Sequence, residues 1–118
     1  MLTVIVTGGR TFCAVDTVWR ELNAAHKRSP IALVVTGGAH GADALAASWA
    51  RSQGLQTRKY PARWELFGRR AGPLRNALML VEHPDAEVIA FPGGSGTADM
   101  VRRAREAGAV VTVVEGTT

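Results

Sequence analysis

Short apolar runs alternate along this chain with stretches in which apolar residues recur every three or four positions. The runs LTVIVT (2–7), IALVVT (31–36), AEVIAF (86–91) and AVVTVV (109–114) are continuous and rich in β-branched residues. Such runs predict strands buried on both faces. QTRKY (56–60) is shorter and more polar, and predicts a strand at a sheet edge. Four sets fall at helical spacing: Val15, Val18, Trp19 and Leu22; Ala42, Leu45, Ala46, Trp49 and Ala50; Leu74, Leu78 and Val81; Met100, Val101, Ala104 and Ala107. Trp19 and Trp49 lie on these stripes and read as core. Gly54, His83-Pro84 and Gly108 stand where the second, third and fourth helices should stop. Residues 61–72, PARWELFGRRAG, have no clean period and predict an irregular segment.

The resulting order is β-α-β-α-β-loop-α-β-α-β. Buried strands joined by helices imply a parallel sheet covered on both faces. Right-handed crossovers leave few ways to wind it. The expectation is one α/β domain over residues 1–118, a three-layer sandwich with a five-stranded parallel sheet of order 3-2-1-4-5.

In such a sheet, ligands sit at the carboxyl ends of the strands where the winding reverses. Here that point lies between the first and fourth strands. The turns after them are GGRTF (8–12) and PGGSGT (92–97), and the turn after the second strand is TGGAHGAD (36–43). All three should open on one edge. Glycine lets a backbone approach a ligand closely, and the free N–H groups of a following helix attract anions. The ligand-facing candidates are Gly8, Gly9 and Arg10 in the first turn, and Gly37, Gly38 and Asp43 in the second. The third turn adds Pro92, Gly93, Gly94, Ser95, Gly96 and Thr97. Ser95 or Thr97 could instead cap the last helix, with Asp99 in its first turn. Ordinary strand-to-helix turns explain any one loop well, and three at one edge less well.

Charge adds a hint of an anionic partner. The chain carries net charge +4, and 12 of its 14 basic residues are arginine, whose planar fork suits phosphate. A general bias toward arginine explains the excess equally well. No basic run reaches five residues. Several chemistries drop out. G-x-G-x-x-G does not follow the first strand, and no GK[ST] occurs. One cysteine, Cys13, and the three histidines His26, His40 and His83 do not make the usual zinc clusters. No metal and no cofactor are therefore expected. The apolar runs are too short for a membrane span and the start lacks a signal-peptide pattern, so a cytoplasmic setting without membrane contact is expected.

GGRTF, TGGAHGADALAASWA, YPARW, GRRAGPLRNALM and FPGGSGTADMV, in this order, closely resemble the YspA-like proteins of the SLOG superfamily, also described as the DUF2493 domain. The resemblance runs from Val4 to Val114. It implies a Rossmann-like fold and a nucleotide or phosphoribosyl ligand across the glycine edge. The superfamily includes the LOG phosphoribohydrolases, which split nucleoside 5'-monophosphates, and DNA-binding proteins of the DprA type. LOG enzymes carry PGG-x-GT-x-x-E with an upstream R-K-x-x-M. Arg75-Asn76-Ala77-Leu78-Met79 matches the upstream motif with Asn for Lys, and Met100 stands where the glutamate would be. Asp99 is one position earlier, about 100° away around a helix.

The resemblance makes Arg75 a phosphate or ribose clamp and, in an enzyme, Arg75 and Asp99 the catalytic pair. Asn76 joins the ligand-binding set. Asp43 could accept from ribose hydroxyls or complement a helix dipole. Carboxylates beside these arginines should ionise easily, which suits electrostatic stabilisation better than proton donation. Trp64 could stack on a base or anchor a subunit contact. His40 lies in a glycine turn and could touch a ligand, but reads first as a surface turn residue. Binding of a nucleotide-derived signal, for sensing or sequestration, ranks first. LOG-like cleavage of an N-glycosidic bond is second, and DprA-like nucleic-acid binding is third. Trp64 with Phe67, and the family habit, point to a homodimer or larger homo-oligomer.

Overall fold

The computed structural model describes residues 1–116. Five parallel strands, β1 (Leu2–Thr7), β2 (Ile31–Thr36), β3 (Gln56–Lys59), β4 (Glu87–Ala90) and β5 (Val111–Val113), form one sheet of order β3-β2-β1-β4-β5. This is the expected α/β, Rossmann-like winding. β3 is the polar edge strand, with all four residues exposed.

Alternate strand residues feed two apolar layers, as a pleated strand requires. Val4, Val6, Val34 and Ile89 point to α1 (Val15–Arg28) and α2 (Ala42–Ser52), where they meet Val18, Leu22, Ala46 and Trp49. Ile5, Val35 and Val88 point the other way, to α4 (Ala71–Glu82) and α5 (Ser95–Glu106). Trp49 is fully buried and its indole N–H donates to Asn23 Oδ1 at 2.8 Å. Trp19 is half-buried against the same layer. No helix among the described residues is long and apolar enough to cross a membrane.

Four details differ from the sequence reading. AVVTVV, expected to be buried on both faces, gives the edge strand β5, in which Thr112 and Val113 are exposed. The segment expected to be irregular contains a one-turn helix, α3 (Trp64–Phe67), and a 3-10 turn at Gly68–Arg70, which runs directly into α4. α4 also turns a different face inward. Leu74, Leu78 and Val81 are exposed, while Ala71, Gly72, Asn76 and Met79 are buried. The inner face must supply polar and small groups beside the glycine turns, so the apolar stripe is left facing out. Finally, α5 is preceded by Gly94 without a side-chain cap, and Asp99 lies beyond its first turn.

Candidate functional site

The three glycine turns are tied to one another by main-chain hydrogen bonds. Gly9 N–H donates to Pro92 C=O at 2.8 Å, and Gly9 C=O accepts from Ala42 N–H at 3.2 Å. One residue of the first turn thus grips both of the others. Gly41, at the start of α2, has φ +75° and no space for a Cβ beside Gly9 C=O and Arg10. A side chain there would be strained and would force the turns apart.

Around them opens a cavity of about 950 Å³. Gly8, Gly9, Arg10, Gly37, Gly38 and Asp43 line one side; Gly94, Ser95, Gly96, Thr97 and Asp99 line the opposite side. Trp64, Arg69, Arg75 and Asn76 close the third side. Pro92 and Gly93, expected with these residues, do not line the cavity. Pro92 C=O accepts the Gly9 bond that holds the turn in place, and both residues border an adjoining groove beside β5. Residues that the sequence reading did not select also reach the cavity, Arg69 and His40 among them. Arg69 was foreshadowed only by its place in GRRAGPLRN, six positions before Arg75.

Two helices start at this cavity without side-chain caps. In α5 the first intrahelical bond is Ala98 N–H to Gly94 C=O at 3.0 Å, which leaves the N–H groups of Ser95, Gly96 and Thr97 without a main-chain acceptor. In α2 the corresponding groups are those of Asp43 and Ala44. Unsatisfied donors and two positive dipole ends favour an anion.

Arg75 sits in the second turn of α4 and braces the site. Its Nη1 donates to the carbonyls of Gly37 at 3.1 Å and Tyr60 at 3.2 Å, and its Nε donates to Asn76 Oδ1 at 3.0 Å. Its guanidinium occupies the space that a Cβ on Gly37 would need. Nη2 has no protein acceptor among the described residues. Burial weighs against the charge and Arg10 adds repulsion, while Asp43 favours it, with a net lowering. An arginine stays protonated through such a change. Arg10 is exposed, and its guanidinium lies 5.8 Å from the Trp64 ring centroid. The pair forms a flat, cationic wall.

The two carboxyl groups of the site are shifted in opposite directions. Asp43 Oδ2 accepts from the N–H groups of Gly37 at 3.1 Å and Ala39 at 3.2 Å, so it shapes the turn from the start of α2. Burial nevertheless pushes its carboxyl up to about 6, against the Ala39 N–H, the Arg75 charge, the Gly37 N–H and Arg10. The expectation of easy ionisation beside arginines does not hold for Asp43, because desolvation outweighs them. It does hold for Asp99. Burial raises that group, but hydrogen bonds from Asn76 at 3.0 Å and Arg103 at 2.9 Å, with Arg102 at 2.8 Å, bring it below its ordinary value. Met100 is fully buried in the apolar layer with Ile5, Val35 and Met79, away from the cavity.

A family model for the YspA- and cpYpsA-related SLOG family matches residues 2–67. The chain belongs to that SLOG family. The matched stretch holds the first two glycine turns and Trp64 but ends before Arg75 and PGGSGT. A further relative spans the rest: the "Gene 61 protein" of Mycobacterium phage D29 is 40% identical over 116 residues, covering 92% of each chain. In this SLOG protein the second half of the site therefore stands on its geometry: α4 and α5 bring Arg75, Asn76 and Asp99 to the turns of the matched half.

Proposed function

We propose that this SLOG protein binds a nucleotide or phosphoribosyl ligand across its joined glycine turns, and serves to sense or sequester a nucleotide-derived signal. The observation that carries this reading is the single cavity on which two uncapped helix starts, Arg10, Arg69 and Arg75 converge. Phosphate would take the N–H groups of Ser95, Gly96 and Thr97 and the free Nη2 of Arg75. Ribose hydroxyls would donate to Asp43, and the Trp64–Arg10 wall offers a base its stacking face. Calorimetry with nucleoside mono- and diphosphates and ADP-ribose tests the reading. Binding that is lost in Arg75→Ala is expected; absence of heat with every compound would sink it.

A hydrolase is the second reading, and one observation favours it. Cleaving an N-glycosidic bond asks for a group that carries a proton near neutral pH, and Asp43, raised to about 6 inside the cavity, meets that requirement. Asp99, held ionised by Arg103, Arg102 and Asn76, would orient Asn76 or stabilise positive charge rather than move a proton. Release of free base from nucleoside monophosphates, lost in Asp43→Asn, would establish this reading over binding alone. Intact ligand after prolonged incubation would rule it out.

A further inference from the structure

Both sides of the cavity carry a carboxyl group, and only one of them has an oxygen to spare. Asp99 Oδ1 accepts from Arg102, and its Oδ2 accepts from Asn76 and Arg103. Asp43 Oδ2 accepts from the N–H groups of Gly37 and Ala39, while its Oδ1 has no donor among the described residues. Asp43 forms no ion pair there either. The residue is nevertheless deeply set, only 6% exposed. Among the described residues, no side-chain oxygen or nitrogen is both sealed from solvent and without a partner. Oδ1 must therefore spend the small exposure it has on the cavity that Asp43 lines. A deeply set acceptor of this kind is costly until a donor reaches it.

Its place in the wall says which donor fits. Asp43 lies within reach of the charges of both Arg75 and Arg10. Arg75 belongs with the anion seat at the start of α5, to which it is tied by Asn76, whose Nδ2 donates to Gly96 C=O. Arg10 belongs with Trp64 in the flat wall. A free acceptor between an anion seat and a stacking wall meets the part of a nucleotide that lies between phosphate and base, which is its sugar.

We infer that Asp43 selects ribonucleotides over deoxyribonucleotides, its free Oδ1 accepting from a ribose hydroxyl. The inference rests on the nucleotide reading of this cavity and adds the class of sugar. A deoxy sugar leaves Oδ1 without a donor, and a site built to bond a hydroxyl rejects the analogue that lacks it. The same feature turns the cavity away from DNA as its ligand.

The selection has a pH signature. Because Oδ2 is occupied by two N–H donors, the proton that Asp43 takes up goes to Oδ1. In that form the oxygen offers a neutral bond; ionised, it accepts with its charge, which is the stronger bond. Burial pushes Asp43 up to about 6, so the preference for ribose should grow as pH rises through that value. Arg10, Arg69, Arg75, His40 and Asp99 face the same cavity. Any change in their charge, or in that of the phosphate, acts alike on ribose and deoxyribose ligands and cancels in the ratio of affinities.

Calorimetry with AMP, GMP, CMP and UMP, and with the 2'-deoxy and 3'-deoxy form of each, is the test. A bound ribonucleotide should exceed at least one of its deoxy forms by roughly 10- to 100-fold in affinity when Asp43 is ionised, at about pH 8, and by much less at about pH 5. In Asp43→Asn the amide oxygen can still accept from Gly37 and Ala39, so the turn is kept. There the ratio should fall to a few-fold and lose its pH dependence. A residue that only shapes the turn would weaken all forms alike and leave the ratio as in the wild type. The wild-type ratio and its pH course decide the matter without any variant. Equal affinity for all three sugars, or a ratio unchanged in Asp43→Asn, overturns the inference and leaves the nucleotide reading standing. Binding of none of these compounds overturns both.

Discussion

Asp43 and Asp99 stand on opposite sides of the same cavity, both within reach of arginines, and they differ in what pays the cost of burial. Asp43 leans into the turn after β2, where two backbone N–H groups and two arginine charges fail to offset desolvation. Asp99 lies on α5 nearer to water, and two arginines and Asn76 hydrogen-bond its oxygens directly. Proximity of positive charge alone does not decide protonation; the depth of burial, set against charges and direct hydrogen bonds, does. The site thus holds one carboxyl able to exchange a proton near neutrality and one fixed as an anion.

The severest test introduces a third carboxyl with neither kind of support. Met100→Glu places a charge in the apolar layer at the position a LOG enzyme would use. A loss on the order of 4 kcal/mol or more is expected in urea titration, with no gain of hydrolysis. Unchanged stability would mean that this layer admits water. Arg75 connects the two sides, since it acts on Asp43 by charge and on Asn76, the donor to Asp99, by its Nε. Arg75→Ala leaves the Gly37 and Tyr60 carbonyls without this donor and should cost about 3 kcal/mol. It should also raise the Asp43 titration further, measurable by carboxyl NMR. Arg75→Lys should not rescue both carbonyls and Asn76, because an ammonium lacks the planar fork.

The pH dependence separates the two carboxyls directly. Asp43 binds its proton more tightly in the folded state, so its contribution to stability is full below about pH 4. That contribution falls as pH rises through about 6 and is constant above. Relative to Asp43→Asn, the wild type should lose ~3 kcal/mol across that window. A parallel course for the two proteins would show that Asp43 titrates normally. Asp99 has the opposite sign: its contribution is present above the ordinary carboxylate range and is lost as pH falls through its lowered folded value. Asp99→Asn should cost about 1 kcal/mol at pH 7, as expected of a partly exposed ion-pair network, and the difference should vanish in acid.

Much of the architecture was legible in the chain. LTVIVT and IALVVT are strands over their whole predicted lengths because both of their faces are buried. The winding then brought GGRTF, TGGAHGAD and PGGSGT to one edge, which periodicity and handedness suffice to predict. α4 was the harder case. Leu74, Leu78 and Val81 gave a helical period, but a period does not say which face is inward. Asn76 and Arg75 take the inner side because their partners are Gly96, Gly37 and Tyr60, which are remote in sequence. The division between Asp43 and Asp99 was hidden for the same reason. Burial depends on distant neighbours, and both residues had looked equally close to arginines.

The pair of hydrogen bonds made by Gly9 has a consequence for how the protein assembles. Gly9 and Pro92 are far apart in the 118-residue chain, and the strands that precede them, β1 and β4, are neighbours in the sheet although β2 and β3 lie between them in sequence. No fragment ending before β4 can therefore contain the joined turns. Hydrogen exchange at the Gly9 amide should follow opening of the whole sheet rather than local fraying. That single amide would report on the integrity of the entire chain.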